Sequence, residues 1–295
     1  MRSFALACGF LVACSSDTPN VPIDATTDTT TQDVANDVGN DASLDAADAD
    51  AGPWSPKTLP NLVLWLDSEV GVTAEIPDGG FSARITSWKD QSGNGNDAVP
   101  SGAGFAPRPG SSLGGHPSIH FQGTRLEISD ATSLQLGTGD FALAVVGRHT
   151  TAVDAGVGYG FFLTKQNATG PFAGPALIGN DALGSSVIMF QARTGDGQVK
   201  TPTTGFNANQ PLLMVVTRTG TAVDLRLGGA SAATASGAPF GVDLSAVGRS
   251  LMLGDGPTGG QGLTGDVSEV VIVKGSVAPQ DVSKLEGYLK TKYGL

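Results

Sequence analysis

From residue 58 onward the chain is written in short apolar runs broken by turn residues. Asn61-Leu-Val-Leu-Trp-Leu-Asp67 is apolar at successive positions, as in a strand covered on both faces. Ser82-Ala-Arg-Ile-Thr-Ser-Trp88 alternates instead and leads into Asp90-Gln-Ser-Gly-Asn-Gly-Asn-Asp97. There Asn94-Gly95 is a strong hairpin signal, because both residues tolerate positive φ. The same reading predicts strands at 117–122, 124–128, 140–148, 158–164, 175–179, 186–192, 211–218, 222–227, 249–253 and 266–274. Their spacing, with glycine-rich breaks, favours an all-β sandwich or barrel over alternating βαβ units. One segment has a helical period. Pro279 suits a first turn, Val282, Leu285 and Leu289 form one stripe, and Gly294 suits the C-terminal end. Gly287 lies inside that stretch and lowers its helix propensity.

The first 57 residues differ in kind. Met1-Arg2-Ser3 and the apolar run Phe4 to Val12 read as a signal peptide over 1–13, too short to span a membrane. Leu11-Val12-Ala13-Cys14 resembles the bacterial lipobox, which implies lipidation of Cys14 and an exported protein anchored to a membrane, at the outer membrane or cell surface. Residues 14–57 read as an acidic disordered linker. Nine Asp and no Lys or Arg fall between residues 15 and 56, with Trp54 the one aromatic. Such a stretch buries too little apolar surface to offset its ordering entropy. As a coil it would reach roughly 36 Å.

The whole chain has 295 residues, 42 Gly, 17 Pro and a formal charge of −11. Most of that charge belongs to the linker; residues 57–295 carry 19 acids against 16 bases. No basic cluster of the kind nucleic acid requires is present. Both cysteines, Cys8 and Cys14, lie in the first fourteen residues, so residues 58–295 contain no disulfide, thiolate nucleophile or cysteine metal ligand.

Four stretches carry a family likeness. Leu62-Val-Leu-Trp-Leu-Asp67, Thr86-Ser-Trp-Lys-Asp-Gln-Ser-Gly-Asn-Gly-Asn-Asp-Ala98 and Gly115-His-Pro-Ser-Ile-His-Phe-Gln-Gly123 resemble the opening of bacterial concanavalin A-like lectin/glucanase domains of the laminin G-like type. Gly265-Asp-Val-Ser-Glu-Val-Val-Ile-Val273, followed by the helical stretch through Glu286-Gly-Tyr-Leu289 and Lys292-Tyr-Gly-Leu295, is similar to their ending. The resemblance implies a two-sheet antiparallel jelly roll over residues 58–295 with one C-terminal helix. It places ligands, where there are any, on the concave face or the rim loops.

The glucanase branch of that family carries Glu-x-Asp-x-(x)-Glu on one strand, and no such string occurs here. An enzyme is not expected, and no catalytic residue is assigned. The nearest acid is Glu269. Strict alternation puts Asp266 on the opposite face and Glu269 with Val267, Val271 and Val273, so a paired structural Glu is favoured over a binding carboxylate. Asp90, Ser92, Asn94, Asn96 and Asp97 are calcium candidates, since oxygen ligands alternate around a glycine turn. The twelfth position that would close a helix-loop-helix calcium site is Ser101, however, and turn chemistry alone explains these residues. No cofactor is otherwise expected. His116 and His120 have a helical zinc spacing, but on a strand they would stand roughly 13 Å apart. Gly110-Ser-Ser112-Leu-Gly114 matches a nucleophile elbow without its strand-to-helix context. Gly254 to Gly262 lacks the Lys-Ser/Thr of a phosphate loop. Strand placement assigns Trp65, Trp88, Phe161, Phe162 and Phe190 to the core.

The expected function is therefore a lipid-anchored envelope module that binds carbohydrate or a surface protein. A structural lipoprotein without a soluble ligand, and a divergent glycan hydrolase, are the alternatives.

Overall fold

In the computed structural model, residues 53–150, 159–179, 187–202 and 207–295 are described. The expected signal peptide, Cys14 and the linker up to residue 52 lie outside them. The strands among the described residues are β1 (Leu62–Asp67), β2 (Val72–Glu75), β3 (Arg84–Trp88), β4 (Val99–Pro100), β5 (Arg108–Pro109), β6 (Ile119–Gln122), β7 (Leu126–Ile128), β8 (Phe141–His149), β9 (Gly160–Thr164), β10 (Ala176–Gly179), β11 (Ile188–Gln191), β12 (Gln198–Lys200), β13 (Leu212–Thr219), β14 (Ala222–Leu227), β15 (Ala230–Ser236), β16 (Leu251–Leu253) and β17 (Thr264–Lys274), and each expected apolar run is among them. Helix α1 spans Pro279–Tyr293.

Two antiparallel sheets form a sandwich. One runs β15-β14-β13-β8-β17-β6-β5, and β1 shares an edge of β17 with β6: β6 pairs with Thr264–Val267 and β1 with Glu269–Val273. The other runs β12-β11-β10-β9-β16-β7-β4. Strand alternation sends Leu64, Leu66, Leu143, Val145, Val270 and Ile272 from the first sheet against Phe162, Leu177, Ile188, Phe190, Leu251 and Leu253 from the second.

The opposite face of the first sheet is apolar too. Ala142, Ala144, Val146, Val215, Val271 and Val273 pack under Val282, Leu285, Leu289 and Tyr293 of α1. Cover on both faces explains why Phe141–Val146 of β8 and Val270–Val273 of β17 read as unbroken apolar runs. Pro279 opens the helix, and Gly294, at φ 67°, closes it by donating to the Lys290 carbonyl.

The structure adds strands that the pattern did not reveal. β2 and β15 are largely exposed, and β4, β5 and β12 have two or three residues each. Asn94-Gly95 does not make a two-residue hairpin. Trp88 and Ala98 bridge across the whole 89–97 segment, and only Gly95 of the pair has positive φ. Residues 53–57, assigned to the linker from sequence, belong to the packed region. Pro56 is buried, and the Trp54 ring lies 5.6 Å from that of Tyr288.

Two substitutions in α1 should move stability in opposite directions. Leu285→Ala removes a buried side chain from the helix–sheet contact and should cost about 2–5 kcal/mol. Gly287 is exposed with open space around it, so Gly287→Ala should add about 0.5–1 kcal/mol. Chemical denaturation of both variants checks the pair.

Candidate functional site

The acids of β17 are brought together by an irregularity. Pairing with β8 shifts register between Val267 and Glu269, so Val267 joins the inter-sheet core with Val270 and Ile272. Glu269 turns outward toward α1 with Val271 and Val273. Asp266 also faces outward, accepting from Arg148 at 3.0 Å (Nε) and pairing with His120 at 3.0 Å. The expectation that Asp266 and Glu269 stand on opposite faces is thus corrected: the bulge inserts one residue and resets alternation.

Both acids are committed to structure. Glu269 accepts from Trp65 Nε1 (2.8 Å), Lys292 Nζ (2.9 Å) and Tyr293 OH (2.9 Å). Lys292 also reaches Asp67 at 2.7 Å and Glu69 at 3.4 Å. Burial, with Asp67 alongside, pushes the Glu269 carboxyl up against the pull of Lys292. Burial works against the Lys292 charge, yet Glu269 and Asp67 hold its ammonium above the usual lysine range. Burial and the Glu269 carboxylate raise the Tyr293 phenol far above its ordinary value.

The calcium candidates fasten a loop. Asp90 Oδ1 accepts the amides of Trp65 and Ser92, and Oδ2 accepts the Ser92 hydroxyl and the Asn96 amide. Asp97 accepts the Asp90 amide and Lys89 Nζ. Asn94 donates to the Leu62 carbonyl and Asn96 to that of Val63. The four carboxylate oxygens already have protein partners, and among the described residues no group of three His, Cys, Asp or Glu could hold a metal ion.

The other sequence candidates separate. His116 pairs with Glu69 at 2.8 Å and lies edge-on to Tyr293, whereas His120 meets Asp266. Ser112 is exposed, and a bridge between Leu113 and His116 follows it rather than a helix. Gly254 sits against Phe121, where a Cβ would come within 2.1 Å of the ring. Trp88, Phe162 and Phe190 lie in the core, and Trp65 faces α1.

Phe161 departs from that group. A register shift between Leu177 and Ile178 leaves Phe162 and Leu163 facing the first sheet, while Phe161 clusters with Ala176, Ile178 and Met189 on the far side of the second sheet. A depression of about 110 Å³ opens there. Tyr159, Phe161 and Phe172 supply its rings; Gln166, Gln191 and Gln261 supply amides, and Thr194 and Thr258 hydroxyls. None of its lining side chains carries a charge. Gln166 Nε2 donates to Gln191 Oε1 at 2.9 Å and to the Gly174 carbonyl at 3.2 Å, which fixes both amides. Phe172 has φ 47°, a region where a bulky residue is strained. Its amide donates to Thr169 O, and Thr194 N and Oγ1 both donate to Pro171 O, so the surrounding turn holds that conformation in place. Sequence reasoning missed Phe172 and the three Gln. Only register and turn geometry converge them, and no motif marks such residues.

No protein-family model and no curated protein sequence matches this chain. Solved structures do match, at identities that show the fold alone. The binding domain of Paraclostridial Mosquitocidal Protein 1 aligns over 80% of this chain and 53% of its own, with TM-score 0.57 and 14% identity. This chain therefore spans about half the length of that neighbour. An arabinofuranosidase complexed with arabinofuranosyl-α-1,2-xylobiose aligns over 79% and 63%, with TM-score 0.57 and 15% identity. Domain 4 of an extracellular arabinanase from Geobacillus stearothermophilus, in complex with arabinotriose, aligns over 77% and 99%, with TM-score 0.51 and 11% identity.

Two measurements check the structural clusters. Asp90→Ala removes the acceptor of four hydrogen bonds and should cost about 2–4 kcal/mol in thermal or chemical unfolding. The second concerns alkaline pH. Tyr293 and Lys292 keep their protons in the folded state above the values near 10 at which the unfolded chain loses them, so stability should fall as pH rises beyond about 10. In Tyr293→Phe that decline should be shallower, as read from melting temperature between about pH 8 and 11.

Proposed function

We propose that the sandwich is a carbohydrate-binding module of the concanavalin A-like, laminin G-like jelly-roll class. It has no hydrolytic activity of its own and is carried on the cell envelope by lipid on Cys14. The observation that carries this reading is the make-up of the depression beside Phe161. Flat rings beside fixed amides and hydroxyls suit a sugar, which offers an apolar C–H face and a periphery of hydroxyls. Two structural neighbours, one of them a single domain of about this chain's folded size, were solved with arabinose-containing oligosaccharides. The absence of hydrolysis is supported by the acids of β17. Asp266 and Glu269 are almost fully buried and tied to Arg148, His120, Lys292 and Tyr293, so β17 offers no free acid–base pair of the kind glycoside hydrolysis uses. The anchor is supported by the lipobox-like Leu11-Val-Ala-Cys14, with the acidic linker as a spacer.

Cys14→Ala should move the protein from the membrane fraction to the soluble one. The soluble variant should then bind neutral polysaccharides in affinity electrophoresis without releasing reducing ends. Tyr159→Ala in that background should weaken binding about tenfold, with little change in melting temperature. Retention of Cys14→Ala on membranes would rule out the lipid anchor. Failure to bind any glycan would leave a structural envelope role instead.

A further inference from the structure

The depression beside Phe161 has a neighbour across the loop from Gly254 to Gly262. That second hollow, of about 480 Å³, is lined by Phe105, Gly123, Arg125, Asp255 and the loop glycines. Thr258 lines both hollows, so one ridge separates them. The ridge is prebuilt. Asp255 Oδ1 accepts the amides of Gly256 and Gln261, and Arg249 donates to the Pro257 carbonyl. Gly260 has nothing within 4 Å of where a side chain would sit, so its backbone is bare toward a ligand.

Phe105 supplies what the second hollow lacks in depth. Its ring is 43% exposed, and the Arg125 guanidinium lies 4.5 Å from the ring centroid, holding one side of it. The charge of Arg125 is already spent. It meets Glu127 at 2.9 Å, Asp255 at 3.2 Å and the Ser101 hydroxyl at 2.9 Å. Among the residues lining this second hollow Arg125 is the one cation, so an anionic chain would find no unpaired charge there and would face the Asp255 and Glu127 carboxylates.

We infer that an uncharged oligosaccharide crosses the 254–262 ridge, with one sugar in the hollow of Tyr159, Phe161 and Phe172 and another stacked on Phe105. The inference rests on the carbohydrate-binding reading and deepens it: the second platform makes the module sensitive to chain length. A disaccharide fills one hollow only, whereas a longer chain engages both and gains by linked binding.

The test uses the full chain carrying Cys14→Ala and isothermal titration with arabino-, xylo-, gluco- and galacturono-oligosaccharides of two to six sugars. A neutral series should bind, with the hexamer held about tenfold tighter than the dimer. Phe105→Ala should abolish that gain, so that hexamer and dimer bind about equally. If this variant proves less stable, Phe105→Leu, which keeps bulk and removes the flat face, should give the same pattern. A hexamer advantage that survives both variants, equal affinity at every length, or preference for galacturonate chains would overturn the inference while leaving a carbohydrate-binding module. Absence of binding to any saccharide would remove that reading as well.

Discussion

The structure depends on one strand having no free side. β17 carries β8 along one edge and both β6 and β1 along the other, so residues far apart in the chain meet on its eleven positions. Its inward residues close the core between the sheets, and its outward residues seat α1. A strand so enclosed can hold polar groups only if each is paired. That constraint accounts for the ion pairs beneath the helix. The bulge before Glu269 turns both acids to the same side, and Arg148, His120, Lys292 and Tyr293 meet them there.

The two sheets consequently present different outer surfaces. The first is roofed by a helix whose stripe matches the valines and alanines below it. The second leaves Phe161, Ile178 and Met189 beneath a hollow ringed by amides and hydroxyls. A rigid sheet below and a stapled loop beside it suit recognition, because ligand binding need not order the site first. The left-handed backbone of Phe172 fits the same logic. Strain of this sort persists where surrounding bonds over-determine it, and here it aims a ring into the hollow.

The fold was readable where burial leaves a strong periodic mark. The long strands and α1, down to Pro279, the Leu285 stripe and the Gly294 cap, follow directly from residue pattern. β15 escaped because Ala-Ser-Ala-Ala-Thr-Ala-Ser has Thr234 as its one β-branched residue and no large apolar side chain to mark an alternation, and it takes its conformation from β14. The 90–97 loop was read as turn chemistry, and turn chemistry holds it, although the hairpin expected at Asn94-Gly95 gives way to a wider loop locked by Asp90. The hollow was not readable. Whether Phe161 or Phe162 faces inward depends on a one-residue register shift, and period-two patterning cannot locate such a shift in an all-apolar run.

Charge completes the argument for what the surface can recognise. Four cations near the hollows and the strand faces are engaged: Arg125 with Asp255 and Glu127, Arg148 with Asp266, Lys165 with Asp130, and Arg193 with Asp196. Each such pair ties one segment to another, and each removes a group that could have attracted an anion. What is left for a ligand beside Phe161 is rings, amides and hydroxyls. On the carbohydrate-binding proposal, selectivity there would come from shape, stacking and hydrogen-bond geometry rather than from charge, as a neutral sugar chain requires.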